Sequence, residues 1–198
     1  MLRILLATNN RGKLVEIKDL LKDLDIDLVM PSQLGLKLKV KETGQSYTEN
    51  SALKGQAFAQ ASGLLTLADD SGLEVEALDG QPGIRSARFA PQPDATDADR
   101  RAYLLQQLQA KPQPWRARFY CVAAIVSPDG RIDFTQGECP GEIIPKEQGH
   151  FGFGYDPIFF IPSMGKTMAE LSMAEKNLIS HRAKAVKAIT PLLVDRLR

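Results

Sequence analysis

The stretch Leu2-Arg3-Ile4-Leu5-Leu6-Ala7-Thr8-Asn9-Asn10-Arg11-Gly12-Lys13 decides the fold class. Its first half is a short apolar run, continuous from Ile4 to Ala7 after Arg3, the pattern of a strand buried on both faces. The run stops at Thr8. Beyond the polar loop, Leu14, Ile17, Leu21 and Leu24 recur at spacings of three and four, one face of a helix. Residues 26–30 predict a second strand, ended by Pro31-Ser32. Strand, loop, helix, strand is the opening unit of an α/β fold.

Working outward, Ser46-Tyr47-Thr48-Glu49 has the form of a capping box. Its helix is expected to run to about residue 62, with Gly63 as the stop. Residues 64–68 are another apolar run, ending in Asp69-Asp70-Ser71-Gly72. Asp79-Gly80-Gln81-Pro82-Gly83 reads as a turn. Pro91-Gln92-Pro93 and Pro112-Gln113-Pro114 bracket a helix from about Thr96 to Ala110 and are the best candidates for a boundary between lobes. Strand-like runs at 118–126 and 132–136 flank Ser127-Pro128-Asp129-Gly130, which argues a β-hairpin and hence a mixed sheet. A strand at 157–161 and a second capping box, Ser172-Met173-Ala174-Glu175, precede a helix that Pro191 either kinks or divides.

Composition narrows the class. The chain has 198 residues, 43% hydrophobic and 25% charged, which excludes a disordered, collagen-like or fibrous protein. One domain of this size buries roughly 70% of its unfolded surface and needs no disulfide or structural metal to fold. Lys and Arg total 25 against 24 Asp and Glu, so no surplus positive charge points to a duplex or a membrane surface. Cys121 and Cys139 lack metal or redox spacing and read as buried thiols in a reducing cytosol. His150 and His181 are too few and too far apart for a histidine zinc site. Arg3 and the short run after it do not make a signal peptide, and no run approaches the roughly 20 residues of a membrane span. A soluble cytoplasmic protein is expected.

Four segments carry candidate chemistry, each with a plainer alternative. The loop Thr8, Asn9, Asn10, Arg11, Gly12, Lys13 lies at a helix N-terminus, where an anion is favoured. It lacks both glycine-rich phosphate signatures and can equally be a turn with Asn10 or Asn9 as the helix cap. Asp69 and Asp70 follow a strand and suit Mg²⁺, and adjacent residues on an extended segment point to opposite sides; the same four residues also favour a plain turn. Glu42 could join that metal. Phe151-Gly152-Phe153-Gly154-Tyr155-Asp156-Pro157 offers either a stacking platform for a base or a tight turn with its rings in the core. Lys176 and Ser180-His181-Arg182 form either a phosphate and base contact or an exposed charged helix.

Taken together, the four describe a nucleoside triphosphate site, and the sequence resembles the noncanonical purine nucleoside triphosphate pyrophosphatases, the inosine triphosphatase family. The resemblance rests on residues 6–13, Glu42-Thr43-Gly44, Glu49-Asn50-Ser51-Ala52-Leu53-Lys54, residues 68–73, Pro82-Gly83-Ile84-Arg85-Ser86-Ala87-Arg88, residues 151–157 and residues 175–182. Asn9 stands where that family commonly has glycine. The resemblance implies a single pyrophosphatase domain over residues 1–198: an α/β fold with two lobes on a long mixed β-sheet flanked by helices, and the active-site cleft between the lobes. It also implies a homodimer and Mg²⁺-dependent hydrolysis of ITP, dITP and XTP to the monophosphate and pyrophosphate, cleansing the nucleotide pool of deaminated purines.

Residue by residue, the resemblance makes Asp70 the catalytic proton acceptor and a metal ligand, with Glu42 and Asp69 completing the metal site. Lys13, Lys54 and Lys176 counter the triphosphate charge. Thr8, Asn9, Asn10, Arg11, Gly12, Ser71, Gly154, Tyr155 and Asp156 line the nucleotide, Phe153 stacks on the base, and His181 and Arg182 lie near O6. Two nucleotide-handling alternatives stand beside this: a Maf-type nucleotide pyrophosphatase with another base preference, disfavoured because its serine- and arginine-rich signature is missing after the first strand, and a non-catalytic nucleotide sensor, disfavoured by the acidic set. A nucleic-acid-binding protein is disfavoured by the near-neutral charge.

Overall fold

The computed structural model of the chain describes residues 2–196. The elements in chain order are β1 (Leu2–Leu6), α1 (Arg11–Leu20), β2 (Ile26–Val29), α2 (Tyr47–Ser62), β3 (Thr66–Val75), α3 (Asp97–Leu108), β4 (Trp115–Val126), β5 (Ile132–Ile143), β6 (Phe159–Ile161), β7 (Lys166–Thr167), α4 (Met173–Ile179) and α5 (His181–Arg196). The seven strands form one sheet in the order β2-β1-β3-β4-β5-β6-β7. β1 is parallel to β2, with Leu2 opposite Ile26, and to β3, with Leu5 opposite Thr66, whereas β6 is antiparallel to β5 and β7. The sheet is therefore mixed, as the opening crossover and the later hairpin require.

The chain divides into two compact units. The first comprises residues 1–70, 121–137 and 181–198, and the second residues 71–120 and 138–180. In the first, alternate residues of β1 serve opposite faces. Ile4 and Leu6 pack with Ile17 and Leu21 and with Val186, Ile189 and Leu193 of α5. Leu5 and Ala7 pack with Phe58 of α2. Helices thus cover both faces, and Ile4, Leu5 and Leu6 of β1 are all fully buried. In the second unit, Leu104 and Leu108 of α3 join Leu73, Trp115, Phe119 and Phe159 in one core.

Most helix boundaries sit where the caps put them. Asn10, Ser46, Thr96 and Ser172 are N-caps, and Gly63 ends α2 with φ +68°. The Ser46 box is incomplete: the Glu49 carboxylate accepts the Gln45 N–H instead of the Ser46 N–H. Three expectations need correction. The proline pairs flank α3 inside the second unit and are not boundaries; three of the four divisions fall within β3, β4 and β5, and the fourth lies between α4 and α5, where no linker composition is needed. β5 runs on to Ile143, past Gly137, Pro140 and Gly141. Pro191 starts no new helix: α5 continues through it, held by buried Ile189 and Leu193 on either side.

Candidate active site

The loop after β1 is built from its own side chains. Thr8 Oγ1 accepts the Asn10 N–H at 3.1 Å, and Asn10 Oδ1 accepts the Lys13 N–H at 3.1 Å. Asn10 is thus the helix cap, which satisfies an otherwise orphaned donor. That cap places Lys13 in the first turn of α1, and its Nζ lies 2.9 Å from Asp69 Oδ2. Asn9 and Arg11 are exposed and Gly12 is half-buried.

Asp69 and Asp70 lie inside β3, so the turn reading of Asp69-Asp70-Ser71-Gly72 is corrected: the strand passes straight through these residues. The pleat sends the two carboxylates to opposite faces, as their adjacency predicts. Asp69 shares the face of Leu67 and meets Lys13 of α1 and Arg182 of α5, whose Nε is 3.2 Å away. Arg182 also reaches Glu16 of α1 at 2.5 Å, and all three side chains are almost fully buried. Asp70 shares the face of Ala68 and accepts a hydrogen bond from Asn50 Nδ2 of α2 at 3.2 Å. One helical turn beyond Asn50, Lys54 donates to Glu42 at 2.6 Å.

The two faces differ in charge balance. Around Asp69, two carboxylates face two cations, Lys13 and Arg182. Burial alone would raise the Asp69 carboxyl, but Lys13, Arg182 and Lys54 outweigh it and hold it well below the ordinary range. Around Asp70, burial pushes the carboxyl up to about 6; Lys54 and Lys13 pull it down, and Glu42 pushes it further up. Burial alone would lower the Lys54 ammonium, but Asp69, Asp70 and Glu42 together hold it above its ordinary value.

Among the described residues, no three His, Cys, Asp or Glu side chains form a ready-made metal cluster. The residues present still fit Mg²⁺. Asp70 and Glu42 are hard oxygen donors that repel each other, and Asp69 Oδ1 is buried with no hydrogen-bond partner. Mg²⁺ typically takes one or two carboxylates and fills its octahedron with water and substrate phosphates, which suits this set.

In the second unit, Asp156 Oδ2 accepts the Phe153 N–H at 3.0 Å and an N–H of the Lys176 ammonium at 2.6 Å, and both charged side chains are buried. Lys176 Nζ also stands 5.4 Å from the Phe153 ring centre. The Gly154 N–H donates to Asp97 at 2.7 Å. Gly152 has φ +75°, and a Cβ there would stand 2.0 Å from Asp156 Oδ2. Tyr155 is buried and its hydroxyl donates to the Ser86 carbonyl at 2.9 Å, so its ring belongs to the core; burial pushes its phenol upward. Ser71 is half-buried in β3.

Comparison with known proteins adds the lineage. The model of the Ham1 family matches residues 4–192. This chain belongs to the Ham1 family. The dITP/XTP pyrophosphatase of Desulforamulus reducens is 46% identical over 193 residues, 97% of this chain and 96% of that protein. The protein of the same name from Escherichia coli O157:H7 is 45% identical, over 100% of this chain and 99% of its own. The Ham1-family structure from Coxiella burnetii superposes with a TM-score of 0.88 at 39% identity, covering 98% of this chain and 100% of the other. The α/β fold on a mixed sheet is thus shared.

Against this Ham1 frame, sequence reasoning missed Glu16 and Asn50. Each had a signal. Glu16 lies three residues after Lys13, and Asn50 lies four before Lys54, so each shares a helix face with a lysine already singled out.

Proposed function

We propose that this protein is a Mg²⁺-dependent hydrolase that cleaves dITP, XTP and ITP between the α- and β-phosphates, releasing the monophosphate and pyrophosphate. The observation that carries this reading is Asp70: a buried carboxylate beside Glu42, with more negative charge than Lys54 balances. The names of the relatives supply the substrate class.

Asp70 orients the attacking water toward the α-phosphorus; a carboxylate that also ligates a metal is a poor base, so its part is to position the water rather than to take its proton outright. Glu42 and Asp70 would hold Mg²⁺, and the buried Asp69 Oδ1, which has no hydrogen-bond partner, is a further hard donor in the same strand. The bound ion supplies charge neutralisation and a more acidic water. Lys13 and Lys54 balance the triphosphate, and such catalysis is mostly positioning and charge stabilisation. Lys176 adds a further charge, and Phe153 stacks on the base. Deamination replaces the C6 amino group with a carbonyl, so a site that donates to O6 accepts hypoxanthine and xanthine and sets a donor against a donor for adenine. Sites built on such bonds discriminate by about 10⁴–10⁵-fold. The Arg182 guanidinium is engaged by Glu16 and Asp69, so the O6 contact is assigned to His181.

The same reading carries a single domain over residues 1–198, a homodimer and cytoplasmic residence in nucleotide-pool cleansing. It is supported by the resemblance; among the described residues no helix is long and apolar enough to cross a membrane. The test is a panel of inosine, xanthosine, adenosine, guanosine and thymidine triphosphates with Mg²⁺, assayed separately for pyrophosphate and orthophosphate. Pyrophosphate from the inosine and xanthosine substrates alone is expected. Orthophosphate instead moves the attack to the γ-phosphorus and overturns the mechanism.

A further inference from the structure

Asn50 is a polar side chain with no solvent exposure, in the first turn of α2. The two ends of its amide serve different partners. Oδ1 accepts the Gly44 N–H at 2.9 Å, and Nδ2 donates to Asp70 Oδ2 at 3.2 Å. Gly44 lies two residues after Glu42, so one side chain ties the Glu42 loop to the Asp70 carboxylate. The approach is close: a Cβ on Gly44 would stand 2.7 Å from both Asn50 Oδ1 and Glu49 Cβ. The neighbouring Gln45 N–H is held by Glu49 at 2.8 Å. A buried amide left half-bonded is far costlier than one bonded at both ends, so loop, amide and carboxylate keep one geometry together.

We propose that Asn50 is a positioning residue that sets the Glu42 loop and the Asp70 carboxylate in register, so that their oxygens are arranged for a divalent cation before substrate arrives. This rests on the Mg²⁺-dependent reading above. It also explains why a glycine stands at 44, since any larger residue would push the loop off the amide.

The test uses the full chain with Asn50→Leu, Asn50→Asp or Gly44→Ala. The first removes both bonds at similar volume. The second keeps an acceptor for Gly44 but loses the donor to Asp70. The third displaces the loop without altering Asn50 or a carboxylate. Three quantities are read: Mn²⁺ affinity by electron paramagnetic resonance without nucleotide, exchange of the Gly44 amide by NMR, and kcat and KM with dITP. Asn50→Leu is expected to weaken Mn²⁺ binding and to lower kcat, each about 10–100-fold, as loss of a group orienting a metal ligand does. KM should move by less than about threefold, because ground-state binding is untouched. The backbone amide at position 44 should lose protection in Asn50→Leu and Gly44→Ala and keep it in Asn50→Asp, where kcat still falls.

Mn²⁺ affinity and Gly44 protection unchanged in Asn50→Leu would overturn the proposal. So would losses in proportion to unfolded protein while Gly44→Ala behaves as wild type. Should Asn50→Leu not fold, the other two variants decide on the same readouts. Wild type that binds Mn²⁺ as described yet releases no pyrophosphate from dITP would sink the hydrolase reading and leave Asn50's role standing.

Discussion

Asp69 and Asp70 are neighbours in β3, yet their carboxyls shift in opposite directions. One strand pleat separates them. On one face, Lys13 and Arg182 hold Asp69 ionised in a charge-balanced cluster. On the other, burial raises Asp70 to about 6 beside Glu42. The pair divides the labour: Asp69 fixes the helices that carry the cations, and Asp70 is left with electrostatic room for a divalent ion.

The first prediction follows from that division. Asp70→Asn should abolish pyrophosphate release and leave the metal-free protein as stable as wild type or more so. The sign follows from the raised value: protonated Asp70 suits the fold, and that stability is lost as pH rises through about 6. The melting-point gain of Asp70→Asn over wild type should therefore shrink as pH falls from 7 to 5. Asp69→Asn should do the opposite: Lys13 loses its carboxylate and buried Arg182 is left with Glu16 alone, at a cost of about 3–5 kcal/mol, or roughly 10 °C for a chain of this size. Equal destabilisation by the two variants, measured by calorimetry in chelator, would refute the division.

Much of this was legible in the residues, and the gaps have a common cause. The first strand, its helix, the caps at Asn10, Ser46, Thr96 and Ser172 and the stop at Gly63 are local signals, and the chain folds as they direct. The opposite facing of Asp69 and Asp70 also followed from strand geometry. Their place inside a strand did not, because Asp-Asp-Ser-Gly favours a turn by propensity, and what overrides it is Arg182, 113 residues away in sequence. Glu16 and Asn50 escaped notice for the same reason: a buried glutamate or asparagine declares its role only when its tertiary partner is known. The proline pairs misled because the division of this chain runs through strands, where composition does not change.

Cys121 provides a second prediction. Burial, with Asp69 adding to it, pushes its thiol up to about 12, and Cys139 is buried as well. A thiol reagent at pH 8 should find neither cysteine in the native protein and both in denaturant. The fold should lose stability as pH rises from about 9 toward 12, because the unfolded chain ionises Cys121 there and the folded one does not. Rapid labelling of one thiol under native conditions would contradict this burial.

The Asp156–Lys176 pair yields a third. Lys176→Met leaves the Asp156 carboxylate without its buried cation and should cost about 3–5 kcal/mol. Adding Asp156→Asn should restore part of that stability, because the stranded charge is gone, while activity stays low in both. A double-mutant cycle in urea reads the coupling. Simple additivity of the two losses would show that the pair is not coupled. Gly152→Ala, which puts a Cβ against Asp156 Oδ2 and strains a positive φ, should disturb the same loop and raise KM for dITP.

The last prediction separates base reading from scaffolding at the start of α5. Arg182 is held by Glu16 at 2.5 Å and by Asp69 at 3.2 Å, a geometry that uses the planar fork of guanidinium. Arg182→Lys keeps the charge and loses the fork, so the melting point should fall while the ratio of kcat/KM for dITP over dATP stays within about threefold of wild type. His181→Ala should behave in the reverse way. Its loss removes the donor assigned to O6 and should narrow that ratio by about tenfold or more, the effect of unpairing one buried hydrogen bond, with a smaller change in melting point. Purified variants assayed with both substrates decide between them. A selectivity change in Arg182→Lys with none in His181→Ala would move the base-reading role from His181 to Arg182.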